Sequence, residues 1–242
     1  MAVYAIVGIR RSGIHAIQSY IEEQLGDGVL ILNDAYPELN YWYHRTDIEN
    51  HNNTIIVFED KSLGKIKNSR IFGHPVHLKI DHTILVLRDA LNMMASRYKQ
   101  FIDMASKRLI RQRRLKMMFR LRTAARLYAR YADEFTGETN HLDGAIKVNF
   151  NQFVRNAEHR AELGSTLGLP HPEYYPQKVQ NIAGGSSFDY LTKSGSAHEM
   201  LVLDRWKHFE GDSTFWKYFQ TDMLICSKEI FGIPEVVPDI AD

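Results

Sequence analysis

The chain has 242 residues, 44% of them hydrophobic and 24% charged, with a formal net charge of +1. That is enough chain for one well-buried domain, and the near-neutral total argues against wholesale coating of nucleic acid. A single cysteine, Cys226, excludes a disulfide framework or a cysteine metal cluster within one chain.

The first element sets the theme. Tyr4–Gly8 is a short Val/Ile-type apolar run that reads as a buried strand. It breaks at Gly8, passes through Arg10-Arg11-Ser12-Gly13, and resumes with Ile14, Ile17, Ile21 and Leu25 on one helical face. Strand, small-residue turn and helix together aim backbone N–H groups at an anion on the helix N-terminus. Arg10 and Arg11 add charge and forked donors. The frame Gly8-x4-Gly13 matches a Walker loop, yet Ile14 and His15 occupy its lysine and hydroxyl positions. A site of that kind keeps an anion cradle but has neither the point charge nor the Mg²⁺ ligand of an ATP- or GTP-cleaving enzyme. An ordinary βα turn is the plainer alternative.

Further strands are expected at Val29–Asn33, Thr54–Glu59, Arg70–Gly73, Thr83–Arg88 and Ala145–Phe150. Helices are expected over Leu91–Ala105, Lys107–Phe135 and Gln152–Leu167, with a helical tendency from Met200 to Phe231. Tyr36–Asn53 reads as an irregular connection, and the Gly/Ser-rich stretches after Gly184 read as loops near a site. Continuous apolar strands alternating with helices predict an α/β fold: a central parallel sheet covered by helices on both faces, in one domain spanning 1–242. The segment 107–135 is expected as a basic helical elaboration. Between Lys107 and Arg130 it carries ten basic residues and no carboxylate. Such a run reads as a solvated helix face, or as a surface for an acidic polysaccharide, nucleic acid or membrane. Sparse aromatic interleaving weighs against single-stranded nucleic acid. No apolar run approaches the ~20 residues that span a bilayer, and no secretory leader is recognised, so a cytoplasmic setting is expected.

A second anion site is legible at His82–Tyr98, where an apolar strand ends on Arg88 and Ser96 follows eight residues later. At the carboxyl edge of a parallel sheet an arginine and a hydroxyl on the next helix can share one anion, although Arg88-Asp89 can equally be a structural ion pair.

Arg11-Ser12-Gly13, Leu87-Arg88-Asp89 with Ser96-Arg97-Tyr98, and Arg205-Trp206-Lys207 together resemble the sulfotransferase family that uses 3′-phosphoadenosine 5′-phosphosulfate. The resemblance continues through Arg70-Ile71-Phe72-Gly73-His74, Ala145–Phe150 with Phe153, Leu167-Gly168-Leu169-Pro170 and Ser186-Ser187-Phe188. It implies the three-layer P-loop architecture of that family and sulfuryl transfer to an acceptor hydroxyl or amine on a small molecule or carbohydrate. It further implies that Arg10, Arg11, Ser12, Gly13, Ile14 and His15 hold the 5′-phosphosulfate. Arg88 and Ser96 would hold the 3′-phosphate, Ser187 and Phe188 would flank the adenine, and Arg205 or Lys207 would complete the clamp. His74 would be the catalytic base and Arg11 the group that faces the leaving phosphate. The chain departs from the family pattern at Ile14, where Thr is usual, at Phe72, where Lys is often found, and at Glu199-Met200-Leu201, where an Arg-Lys-Gly would stand.

Sulfuryl transfer needs donors on the leaving phosphate and a base for the acceptor proton, and no metal is expected. His77 and His15 compete with His74 for the base, and Glu59 or Asp60 is the reserve carboxylate. The spacing His74-x-x-His77…His82, interrupted by Pro75, does not suit a metal site. A small-molecule or nucleotide kinase, and a non-catalytic nucleotide- or polyanion-binding protein on the same fold, are the rival readings.

Overall fold

A computed structural model describes residues 2–35, 51–67, 80–106, 111–181 and 185–232. Five parallel strands form one sheet in the order β2-β3-β1-β4-β5, where β1 is Ala2–Gly8, β2 Val29–Leu32, β3 Asn53–Glu59, β4 His82–Leu87 and β5 Ile146–Asn149. The expected Arg70–Gly73 strand lies outside the described residues.

Side chains along β1 alternate between two cores, as the two-residue strand period requires. Val3, Ala5 and Val7 enter one hydrophobic layer, and Tyr4 and Ile6 enter the other. Both layers are covered, which is why the strands read as unbroken apolar runs rather than alternating ones.

Helix α1 (Ile14–Leu25) buries Ile14, Ile17 and Ile21 on the second layer. Helices α2 (Leu63–Lys67), α3 (Ala90–Ser106) and α4 (Arg111–Thr136) cover the first. The chains leaving β1 and β4 therefore pass to opposite faces although these strands are neighbours in the sheet. That divergence opens a crevice above their carboxyl ends, the place where open α/β sheets bind ligands.

The expected helix over Gln152–Leu167 is two helices, α5 (Phe150–Arg155) and α6 (Ala157–Thr166). Asn156 divides them: its side chain accepts hydrogen bonds from the backbone N–H groups of Glu158 and His159 and so caps α6. The helical tendency from Met200 onward resolves into a 3₁₀ turn at Arg205–Phe209 and two helices, α7 (Ser213–Trp216) and α8 (Thr221–Phe231). Asp212 caps α7 through the N–H groups of Thr214 and Phe215, which forces the chain to restart there. Phe215, Trp216, Tyr218 and Phe219 of this region pack with Tyr98 into the first core layer.

Candidate anion site at the β1–β4 crevice

The loop after β1 is held by its own backbone and by carboxylates at the ends of β2 and β3. Gly13 precedes α1 with φ 98° and provides no side-chain cap, which leaves the N–H groups at the helix start without a capping side chain. A Cβ at this position would stand 2.1 Å from the Phe150 ring, so only glycine fits. Arg11 also takes the left-handed conformation, at φ 71°. Asp60, next after β3, accepts the Arg10 N–H at 2.9 Å and pairs with the Arg97 guanidinium, whose Nε also donates to the Arg10 carbonyl at 3.1 Å. Ser12 is buried, and its hydroxyl lies 3.4 Å from the Val86 carbonyl of β4.

Arg88 leaves the end of β4 and enters the same crevice. Its guanidinium donates to the Arg11 carbonyl at 3.1 Å and to the Val202 carbonyl, lies over the Phe150 ring at 5.3 Å, and leaves its buried Nε without a partner. Arg205 arrives from the 3₁₀ turn and donates to the Ser186 hydroxyl at 2.7 Å, to Asp189 at 3.1 Å and to the Ser96 hydroxyl at 3.2 Å. Arg11 reaches the Gly185 carbonyl at 3.0 Å. Three arginines from distant parts of the chain therefore line one cavity of about 320 Å³.

Their electrostatics identify what the cavity wants. Burial pushes the Arg88 guanidinium down to about 9, and the neighbouring Arg205 and Arg11 charges push the same way. Burial lowers Arg205 to about 10 even though Asp189 opposes the shift. Arg11 is lowered by burial, which the Glu59 charge opposes and the Arg97 and Arg10 charges reinforce. Among the described residues neither Arg11 nor Arg88 forms an ion pair. Glu59 and Asp89 offset only part of the cost of burying these two cations, and an anion bound between them reduces it further.

Arg10 behaves differently. Glu59, Asp34 and Asp60 together outweigh its burial and raise its pKa, through Nε to Glu59 at 3.0 Å and the terminal nitrogen to Asp34 at 2.7 Å. Its charge is already matched, and it anchors the loop rather than waiting for a ligand. His15, on the first turn of α1, lies 3.3 Å from Glu59 and 3.1 Å from the Gln18 side chain, and both His15 and Glu59 line the cavity.

Several sequence-selected residues stand elsewhere. Ser96 is fully buried beneath the cavity: its hydroxyl donates to the Asn92 carbonyl at 2.9 Å and accepts from Arg205, so it supports that arginine instead of lining the space. Phe188 packs against the Arg205 guanidinium at 5.1 Å and against His208 and Phe209, outside the cavity lining. Ser187 is buried with an unpartnered hydroxyl and is likewise outside the lining. Lys207 points to solvent and pairs with Asp204 at 2.6 Å, so of the two cations considered for the clamp it is Arg205 that reaches the crevice. Ile14 lines the cavity beside Gly13. His74 and His77 lie outside the described residues.

Sequence reasoning did not single out the opposite wall, formed by Asn33, Asp34, Tyr175, Pro176, Gln180 and Met200. These residues come from three separate loops and carry no local motif. Asp34 alone offered a signal: a polar residue just past the half-buried strand β2, at the carboxyl edge of the sheet where sites form.

Comparison with protein-family models, with curated proteins and with solved structures gave no match to this chain. The fold and the site geometry are therefore the ground on which a function is argued. Among the described residues no cluster of His, Cys, Asp and Glu could hold a metal ion, and no helix is long and apolar enough to cross a membrane.

Proposed function

We propose that the protein is a sulfotransferase that moves a sulfuryl group from 3′-phosphoadenosine 5′-phosphosulfate to an acceptor hydroxyl or amine. The observation that carries this reading is the convergence of Arg11, Arg88 and Arg205 on one crevice, with neither Arg11 nor Arg88 in a direct ion pair among the described residues. A donor with phosphate groups on both the 3′ and 5′ oxygens of its ribose supplies two separated anions, matching a loop cation and a strand-end cation. Ile14 and His15 at the Walker lysine and hydroxyl positions disfavour a magnesium-dependent kinase.

In the reaction the sulfur–oxygen bond to the 5′-phosphate breaks as a bond to the acceptor oxygen or nitrogen forms, and adenosine 3′,5′-bisphosphate leaves with the bonding electrons. In this reading Arg11 and the uncapped N–H groups at the start of α1 stabilise charge growing on that phosphate. Arg88, propped by Phe150 and the Val202 carbonyl, binds the remote phosphate equally in ground and transition states. Arg205 completes the cationic wall, with Ser96 and Asp189 fixing its orientation. The acceptor proton passes to His74 in this reading, with Glu59 as the carboxylate alternative already facing the cavity.

Thermal-shift screening tests the proposal. Adenosine 3′,5′-bisphosphate should raise the melting temperature in the absence of Mg²⁺. Stabilisation by ATP with Mg²⁺ alone would indicate a kinase, and a response to sulfated polymers alone would indicate a polyanion-binding protein. Either result overturns the reading.

A further inference from the structure

Helix α4 presents a surface that the crevice does not use. It runs for 26 residues, Arg111–Thr136. Leu121, Ala124, Ala125, Tyr128, Tyr131 and Ala132 are buried in the core. At 3.6 residues per turn, Leu115, Phe119, Arg122, Arg126 and Arg130 fall within an arc of about 80° on the opposite side of the helix. All five are exposed; Leu115 and Phe119 are 58% and 69% accessible. Two large apolar side chains thus point straight into solvent, on one stripe with three arginines.

The charge on this stripe is uncompensated. No acidic residue occurs from Lys107 through Ala132. Among the described residues Arg120, Arg122, Arg126 and Arg130 form no ion pair or side-chain hydrogen bond. A helix that only needed solubility would alternate both signs of charge and keep phenylalanine off its outer face. A soluble polyanion would use the arginines but would leave Leu115 and Phe119 in water. One partner satisfies both: an interface with anionic headgroups for the guanidinium groups and an acyl boundary for the apolar side chains.

The geometry points to docking of α4 on an anionic membrane surface, parallel to the bilayer, with Phe119 and Leu115 inserted and Arg122, Arg126 and Arg130 at headgroup level. The stripe from Leu115 to Arg130 is about 22 Å long, and it lies flat rather than spanning. The inference does not depend on the sulfuryl-transfer reading, because it uses none of the cavity residues.

Vesicle flotation of the full chain provides the test, comparing phosphatidylcholine vesicles with ones containing about 30 mol% phosphatidylserine. The protein should float with the anionic vesicles only, and less well as salt rises. Reversing charge in Arg122→Glu/Arg126→Glu/Arg130→Glu should weaken binding on the order of a hundredfold or more, at roughly fivefold per arginine removed and further for each glutamate added. Leu115→Ser/Phe119→Ser should weaken it by roughly tenfold or more with the charge untouched. Both variants alter exposed positions and should keep the thermal transition of the parent. Failure of the parent chain to float with anionic vesicles overturns the inference. So does undiminished binding by Leu115→Ser/Phe119→Ser, and if that variant also holds heparin or RNA as tightly as the parent, the surface serves soluble polyanions instead.

Discussion

Replacing Arg88 by methionine isolates the charge at the centre of the crevice. The side chain is 2% exposed, and methionine retains most of its apolar stem against Phe150. The folded protein loses two charge-assisted hydrogen bonds, to the Arg11 and Val202 carbonyls, at about 1.5–3 kcal/mol each. It also sheds a buried cation whose pKa has already fallen from 12.5 to about 9 beside Arg205 and Arg11. These effects oppose each other, so the melting temperature of the free protein should change little. Ligand binding should change a great deal. Charge-assisted hydrogen bonds contribute about 1.5–3 kcal/mol each, and two bonds to a phosphate correspond to at least about a hundredfold in affinity. Calorimetric titration with adenosine 3′,5′-bisphosphate without Mg²⁺ measures this directly. The pH profile gives a second readout. The protonated guanidinium is the anion-binding form, so parent affinity should hold below about 9 and fall as the pH rises through it. Arg88→Met should lack that falling limb, and turnover at saturating donor should stay near that of the parent. Affinity within threefold of the parent, or an unchanged pH limb, would refute the assignment.

Arg11→Ala should act on turnover instead, lowering kcat by roughly a hundredfold at saturating donor because charge grows on the oxygen it faces; an effect confined to donor affinity would reverse the two roles. His74→Ala should lower kcat by about a hundredfold or more and leave bisphosphate affinity intact. Near-normal turnover in that variant would hand the proton to Glu59 or Asp60, which Glu59→Gln and Asp60→Asn would then resolve. Gly13→Ala combines a φ of 98° with a Cβ 2.1 Å from the Phe150 ring, and should cost about 2 kcal/mol or more, lowering the melting temperature by about 4–8 °C. An unchanged melting curve would mean that the loop does not pack on Phe150.

Legibility in the sequence followed the length scale of each signal. Apolar runs at Tyr4–Gly8, Thr54–Glu59 and Thr83–Arg88 are buried on both faces, and they correspond to the three central strands. β1 and β4 are adjacent, in the register Gly8↔Val86, so the Arg11 loop and Arg88, both legible as anion-binding elements, open on one crevice. The short helix Leu63–Lys67 was not legible, because five residues hold too little periodicity to rise above a loop. Asn156 and Asp212 are strong capping residues whose meaning depends on the turn that follows, so single helices were read where the chain restarts. In the site, Arg11 and Arg88 declared themselves through the strands that precede them. Ser96 did not reveal that its hydroxyl would be spent on Asn92 and Arg205, since the eight-residue spacing gives its helix face but not the neighbour waiting there. Arg97 reaches Asp60 and the Arg10 carbonyl across the sheet edge, a relation that no local pattern encodes.

Phe150 bears on two things at once: the ring that excludes a side chain at Gly13 also lies beneath the Arg88 guanidinium. It is itself part of the second core layer, at the point where β5 turns into α5. The spacing between the two halves of the crevice is therefore set by the interior and not by the loops on its rim. Such a site has no way to loosen by itself. Opening that spared the sheet would leave this packing intact, so the Arg10 and Ser12 amides, hydrogen-bonded to Asp60 and to the Ile9 carbonyl, should exchange with solvent on the same slow clock as those of the central strands.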